Sequence, residues 1–163
     1  VLFGRTDKAL ARLATIFRDR KLDKTYLALT LRTPKNLSGE LQHYLLKDDK
    51  RNTVEVYSKP RGEAKAAITR YEVLNTFDDL TLLRVSPITG RPHQIRAQLN
   101  AIGCPILGDL KYGAPSALPD ASIGLHCLGM KFIHPVKLEE IHITAELPQK
   151  EWWEKAGEMS NVQ

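Results

Sequence analysis

The alternation of apolar and polar positions divides the 163 residues into helical and extended stretches. Behind Thr6, a residue type that caps helix N-termini, Ala9, Leu10, Leu13, Ile16 and Phe17 recur at helical spacing and predict a helix from Asp7 to Arg20. The stretch KTYLALTLR changes period. Steps of two place Thr25, Leu27, Leu29 and Leu31 on one face, with Lys24, Tyr26, Ala28, Thr30 and Arg32 on the other. Further strands are expected near Gly39 to Leu46, Val54 to Tyr57, Ala66 to Thr76 and Leu80 to Ser86, separated by turns containing Asp, Asn or Gly. Strand follows strand without a helix between them, which predicts antiparallel pairing and an α+β fold.

A second helix is expected from Pro92 to Ile102, with proline at its first position and Gly103 as a left-handed terminator. Ile95, Leu99 and Ile102 form a stripe that can dock on a sheet, whereas His93, Arg96 and Asn100 lie together off that stripe. Beyond it, PILGDLKYGA reads as a short strand and loop, GLHCLGMKFIHP and IHITAELP as strands, and the region around Trp152 and Trp153 as a terminal helix. No order is assigned to the last few residues. With no repeat, low-complexity tract or long linker, the chain reads as one domain over 1–163, the helix and tail occupying about 149–163.

Composition adds a direction. Twenty-four Lys and Arg against 19 Asp and Glu give a net charge of +5, which favours an anionic partner such as nucleic acid. Cys104 and Cys127 form no CxxC and have no metal-ligand spacing to the histidines, so neither a disulfide framework nor a metal site is expected. His126, His134 and His142 alternate with apolar residues and read as core or edge positions. With no run of 18 apolar residues and no signal-peptide pattern near Val1, a cytoplasmic protein without a membrane partner is expected. The chain begins with Val rather than Met inside an apparent strand, which suggests missing upstream sequence.

The densest chemistry lies in SPITGRPHQIRAQLNAIG, residues 86–103. GRPHQIRAQL after a strand ending in SPITG resembles the signature of the RluA-type pseudouridine synthases. KTYLAL at 24–29, PILGDLKYG at 105–113 and LHCLGMKFIHP at 125–135 extend the resemblance, in the family's order, over nearly the whole chain. It implies a core with a mixed, largely antiparallel sheet, flanked by helices and loops. The implied activity is isomerisation of uridine to pseudouridine in structured RNA, rRNA or tRNA, without metal or organic cofactor.

The resemblance also assigns roles. Arg96 matches the arginine that pairs with the catalytic aspartate and holds it ionised, a task suited to a rigid guanidinium fork. Tyr26 matches the tyrosine beside the target base, able to stack on uracil and to serve in proton transfer. Leu125 matches an aliphatic position against the base, and Arg91 and His93 are candidates for meeting phosphate or orienting the site. The aspartate itself belongs to an RLDxxTSG motif expected immediately before VLFGRT, so the 163 residues alone are expected to be inert. Asp109 is expected to be a turn aspartate bonding its own backbone, not a substitute nucleophile. Two rivals remain: a non-catalytic RNA-binding module or RNA chaperone, and an unrelated basic domain in which Arg96 is a surface residue.

Overall fold

A computed structural model of the chain describes residues 2–19 and 21–159. Helix α1 spans Asp7–Arg18, and the Thr6 hydroxyl caps it by accepting the Ala9 N–H at 3.2 Å. Arg20, where this helix was expected to end, lies outside the described residues, as does the tail after Met159. The strands are β1 (Leu22–Thr30), β2 (Ser38–Asp48), β3 (Thr53–Tyr57), β4 (Lys65–Phe77), β5 (Leu80–Pro87), β6 (Leu125–Ile133) and β7 (Glu140–Thr144). Helices α2 (Gln94–Ala101) and α3 (Glu151–Met159) complete the set, with a single 3-10 turn at Leu110–Tyr112.

The seven strands form one sheet in the order β3-β2-β4-β5-β1-β6-β7, and each of these pairings is antiparallel. Strand β1 is an interior strand because the chain returns to it twice, first with β5 and then with β6. Its two-residue alternation serves two cores. Ala28 and Tyr26 face a cluster with Leu83, Val85, Ile95 and Leu99, under α2. Leu27 and Leu29 face the opposite cluster, with Phe77, Leu82, Trp153 and Ala156, under α3. Burial on both faces explains why β1 carries an apolar run after Thr25.

Helix α2 starts two residues later than expected. Pro92 and His93 form a turn, and His93 occupies the N-cap position with φ +50°, a left-handed conformation uncommon for a residue with a side chain. Gly103, at φ +78°, ends the helix as expected. The segment after it does not make a full strand: Ile106 makes one bridge to Thr30, and the chain then turns into the 3-10 helix. Among the described residues, no helix is long and apolar enough to cross a membrane.

Candidate active site

A cavity of about 490 Å³ opens beside β1 and the N-terminal half of α2. Tyr26, Arg91, His93, Arg96 and Leu125, all five residues singled out from the sequence, line it. They arrive from three directions. Tyr26 comes from β1, at a bulge where the register against β6 shifts between Thr25 and Tyr26. Such bulges re-aim a side chain. Leu125 opens β6 and packs against the same cluster as Tyr26, while the loop into α2 and the helix itself supply Arg91, His93 and Arg96.

Tyr26 carries an aromatic face and a hydroxyl whose pKa is pushed up to about 12, chiefly by burial and further by neighbouring Cys127. At neutral pH it is a phenol. It can stack or donate a hydrogen bond, and a base role would require a strong local perturbation on substrate binding.

Arg96 is held on two sides. Its Nε and Nη2 donate to the two carboxylate oxygens of Asp109, each at 2.7 Å, and the Tyr112 ring lies under the guanidinium at 5.0 Å. The hydrogen bonds it donates to Asp109 raise the arginine's pKa further, so its charge is permanent. Asp109 is only 1% exposed, and its carboxylate bonds Arg96 rather than its own backbone, which corrects the expectation of a self-bonded turn aspartate. Nor is Arg96 a surface residue, since its side chain is 22% exposed and half-enclosed by these partners.

His93 Nδ1 lies 2.9 Å from the Tyr112 hydroxyl, which also accepts the Val54 N–H at 2.9 Å. Burial lowers the His93 pKa, and the nearby charges of Arg96, Lys111 and Lys47 lower it further against the opposing pull of Asp109. The imidazole is therefore neutral at pH 7. Arg91 donates from Nε to the Ala66 carbonyl of β4 at 3.1 Å and lines the cavity.

Sequence reasoning missed what holds this loop in place. Gln94 and Gln98 are buried, and they tie α2 to the sheet through polar bonds. Gln98 accepts from Thr69 Oγ1 at 2.7 Å and reaches the Leu41 and Ala67 carbonyls at 3.1 Å. Gln94 donates to the Ile68 carbonyl and to Thr69 Oγ1, while its Oε1 accepts from Thr89 Oγ1 at 2.7 Å and Arg91 N at 2.9 Å. Spacing of four residues puts both amides on one helix face, a visible signal, but nothing in one sequence says that Thr69 and Thr89 stand opposite. No group of His, Cys, Asp and Glu suited to a metal ion occurs among the described residues.

The profile of the family described as RNA pseudouridylate synthase matches residues 1–101 of the chain, a span that includes Tyr26, Arg91, His93 and Arg96. The chain belongs to the RNA pseudouridylate synthase family. Relatives agree on its RluA-type branch. Ribosomal large subunit pseudouridine synthase C of Vibrio vulnificus is 34% identical over 150 residues, covering 92% of this chain and 46% of its own length. The synthase C of Rickettsia conorii is 32% identical over 150 residues, covering 91% and 49%. Synthase D of Zymomonas mobilis is 30% identical over 158 residues, again covering 91% and 49%. The chain thus spans about half the length of the curated relatives it matches. Its fold is that of the human RNA pseudouridylate synthase domain containing 4, with a TM-score of 0.74 at 25% identity over 94% of this chain and 68% of that one. The α+β architecture read from the strand order agrees with that of these synthases.

Proposed function

We propose that the protein isomerises uridine to pseudouridine in structured RNA of the cytoplasm, with ribosomal RNA as the leading substrate class. The observation that carries this reading is the convergence of Tyr26, Leu125 and Arg96 on one cavity in a chain of this family. The base must leave its stack to be acted on, at a cost of a few kcal/mol that contacts in a pocket offset. An aromatic face and an aliphatic side chain suit the two faces of uracil. The cationic rim of Arg91, with Lys47 and Lys111 close enough to act on His93, suits the phosphates on either side of the flipped nucleotide.

In the reaction the N1–C1′ bond breaks, the base turns, a C5–C1′ bond forms, and the C5 proton leaves as N1 gains one. A carboxylate acting at the ribose starts the sequence, either by attack at C1′ or by removal of a ribose proton. In this reading that carboxylate is the family's RLDxxTSG aspartate, in sequence preceding Val1, and Arg96 keeps it ionised and aimed. Tyr26 supports the base by stacking and steers its hydroxyl toward the turning ring.

Tritium release from rRNA transcripts carrying 5-tritiated uridine tests the proposal in the natural gene product that contains this chain. Wild type releases tritium. Arg96→Lys keeps the charge but loses the two-pronged fork, and should slow release by about 100-fold with RNA affinity nearly unchanged. RNA binding without release by wild type would return the chain to the class of RNA-binding modules, and full activity in Arg96→Lys would remove the fork from the mechanism.

A further inference from the structure

We infer that Asp109 is a positioning residue that sets the direction in which Arg96 presents its charge. The inference rests on reading the cavity as a uridine site, and it concerns a side chain that touches Arg96 rather than the base.

A guanidinium has five N–H groups on three nitrogens, and the edge it offers to one carboxylate fixes the edge left for another. Asp109 occupies the Nε and Nη2 edge with two bonds of 2.7 Å. The central guanidinium carbon stands over the Tyr112 ring, 5.0 Å from its centre. Nη1 is left as the terminal nitrogen that donates to no protein atom among the described residues, and Arg96 lines the cavity. Asp109 itself is not available to attack a ribose, since it is 1% exposed and both its oxygens are engaged.

The carboxylate is in turn fixed from behind. Asp109 N–H donates to the Ile106 carbonyl at 3.0 Å, and the Asp109 carbonyl accepts from Tyr112 and Ala114, each at 3.0 Å. Gly108 (φ +77°) and Gly113 (φ +91°) supply the left-handed corners of this loop, and a Cβ on Gly108 would lie 2.8 Å from Leu118 Cγ and the Ser122 carbonyl. The loop is pinned to β1 by Leu107 N–H donating to the Leu29 carbonyl at 2.8 Å and Leu31 N–H donating to the Pro105 carbonyl at 3.0 Å. The orientation of Arg96 is therefore referenced to the strand that carries Tyr26. Two groups that must act on one nucleotide share a frame, which a lone arginine on a helix would not provide.

The test is Asp109→Asn in the natural gene product, read as kcat and KM for tritium release, RNA affinity and thermal midpoint. Asparagine keeps the size but offers one acceptor oxygen, so the guanidinium loses its matched edge. The inference expects kcat to fall by about 100-fold with KM and RNA affinity within about threefold of wild type. Wild-type kcat in D109N overturns it. So does a loss of kcat matched by an equal loss of RNA affinity and folded fraction, which would make the residue structural. Should D109N not fold, Asp109→Glu decides by the same readout: a folded variant with wild-type RNA affinity and depressed kcat supports the inference, while wild-type kcat, or failure of both variants to fold, overturns it. A wild-type protein that releases no tritium overturns the uridine reading and this inference with it, whereas an active wild type with an equally active D109N overturns this inference alone.

Discussion

The two faces of the sheet are held down by different kinds of force. Under α3, Trp153 and Ala156 sit on Leu27, Leu29, Phe77 and Leu82, an apolar contact with little directional content. Under α2, Ile95 and Leu99 make a similar apolar contact, but beside it Gln94 and Gln98 engage Thr69, Thr89 and backbone carbonyls of β2 and β4. Apolar packing tolerates small slips, whereas a chain of hydrogen bonds near 2.7 to 2.9 Å does not. The face that must place Arg96 and His93 uses the directional means.

That contrast can be broken at its apolar end first. Trp153→Ala should cost about 3 to 5 kcal/mol, since a large buried side chain is removed from a packed cluster. Denaturant unfolding should register the loss, and turnover per folded molecule should stay close to wild type; a large drop in that turnover would mean that the α3 face also positions the site. At the polar end, Gln98→Leu removes the acceptor of the buried Thr69 hydroxyl and a donor to the Leu41 and Ala67 carbonyls, and should cost about 1 to 3 kcal/mol. Here turnover should fall more than stability does. Equal tolerance of both substitutions would erase the distinction between the faces.

The smallest effect is set by pH. His43 and His93 both have pKa values lowered by burial and lie on the α2 side, His43 being within reach of the Gln98 amide. Their folded-state values fall below the usual 6.5, so the unfolded chain binds protons more readily, and stability is full above that pH and falls as acid titrates through the lowered values. Urea midpoints at pH 5 and 7 should differ in that sense, and His43→Gln with His93→Gln should flatten the difference. An unchanged slope in the double variant would assign the acid sensitivity to other groups.

Much of the fold was legible because its strands carry strong local signals. The apolar run of β1, the Thr6 cap and the Gly103 terminator each translate directly into geometry. The order of strands was not, because β1 pairs with β6 across a distance that no local period reports. Within the site, Tyr26, Arg91, His93, Arg96 and Leu125 were found through motif resemblance, and the cavity brings all five together. Asp109 was read as a turn residue bonding its own backbone because its partner is set by tertiary packing of α2 against the loop, and the start of α2 slipped from Pro92 to Gln94 because His93 takes a left-handed conformation that its residue type does not announce.

The interior place of β1, between β5 and β6, also governs the order in which the protein can be made. Tyr26 pairs with Val85 on one side and with Cys127 on the other, so one wall of its surroundings is synthesised about a hundred residues after it. Leu125 begins that late strand. A nascent chain can assemble β2 to β5 and seat β1 against β5 while its other edge stays open, and non-local pairings of this kind form slowly and leave an unpaired edge exposed meanwhile. The pocket is therefore among the last features to close during synthesis, and a ribosome paused before residue 125 displays Tyr26 on a bare strand edge rather than in a cavity.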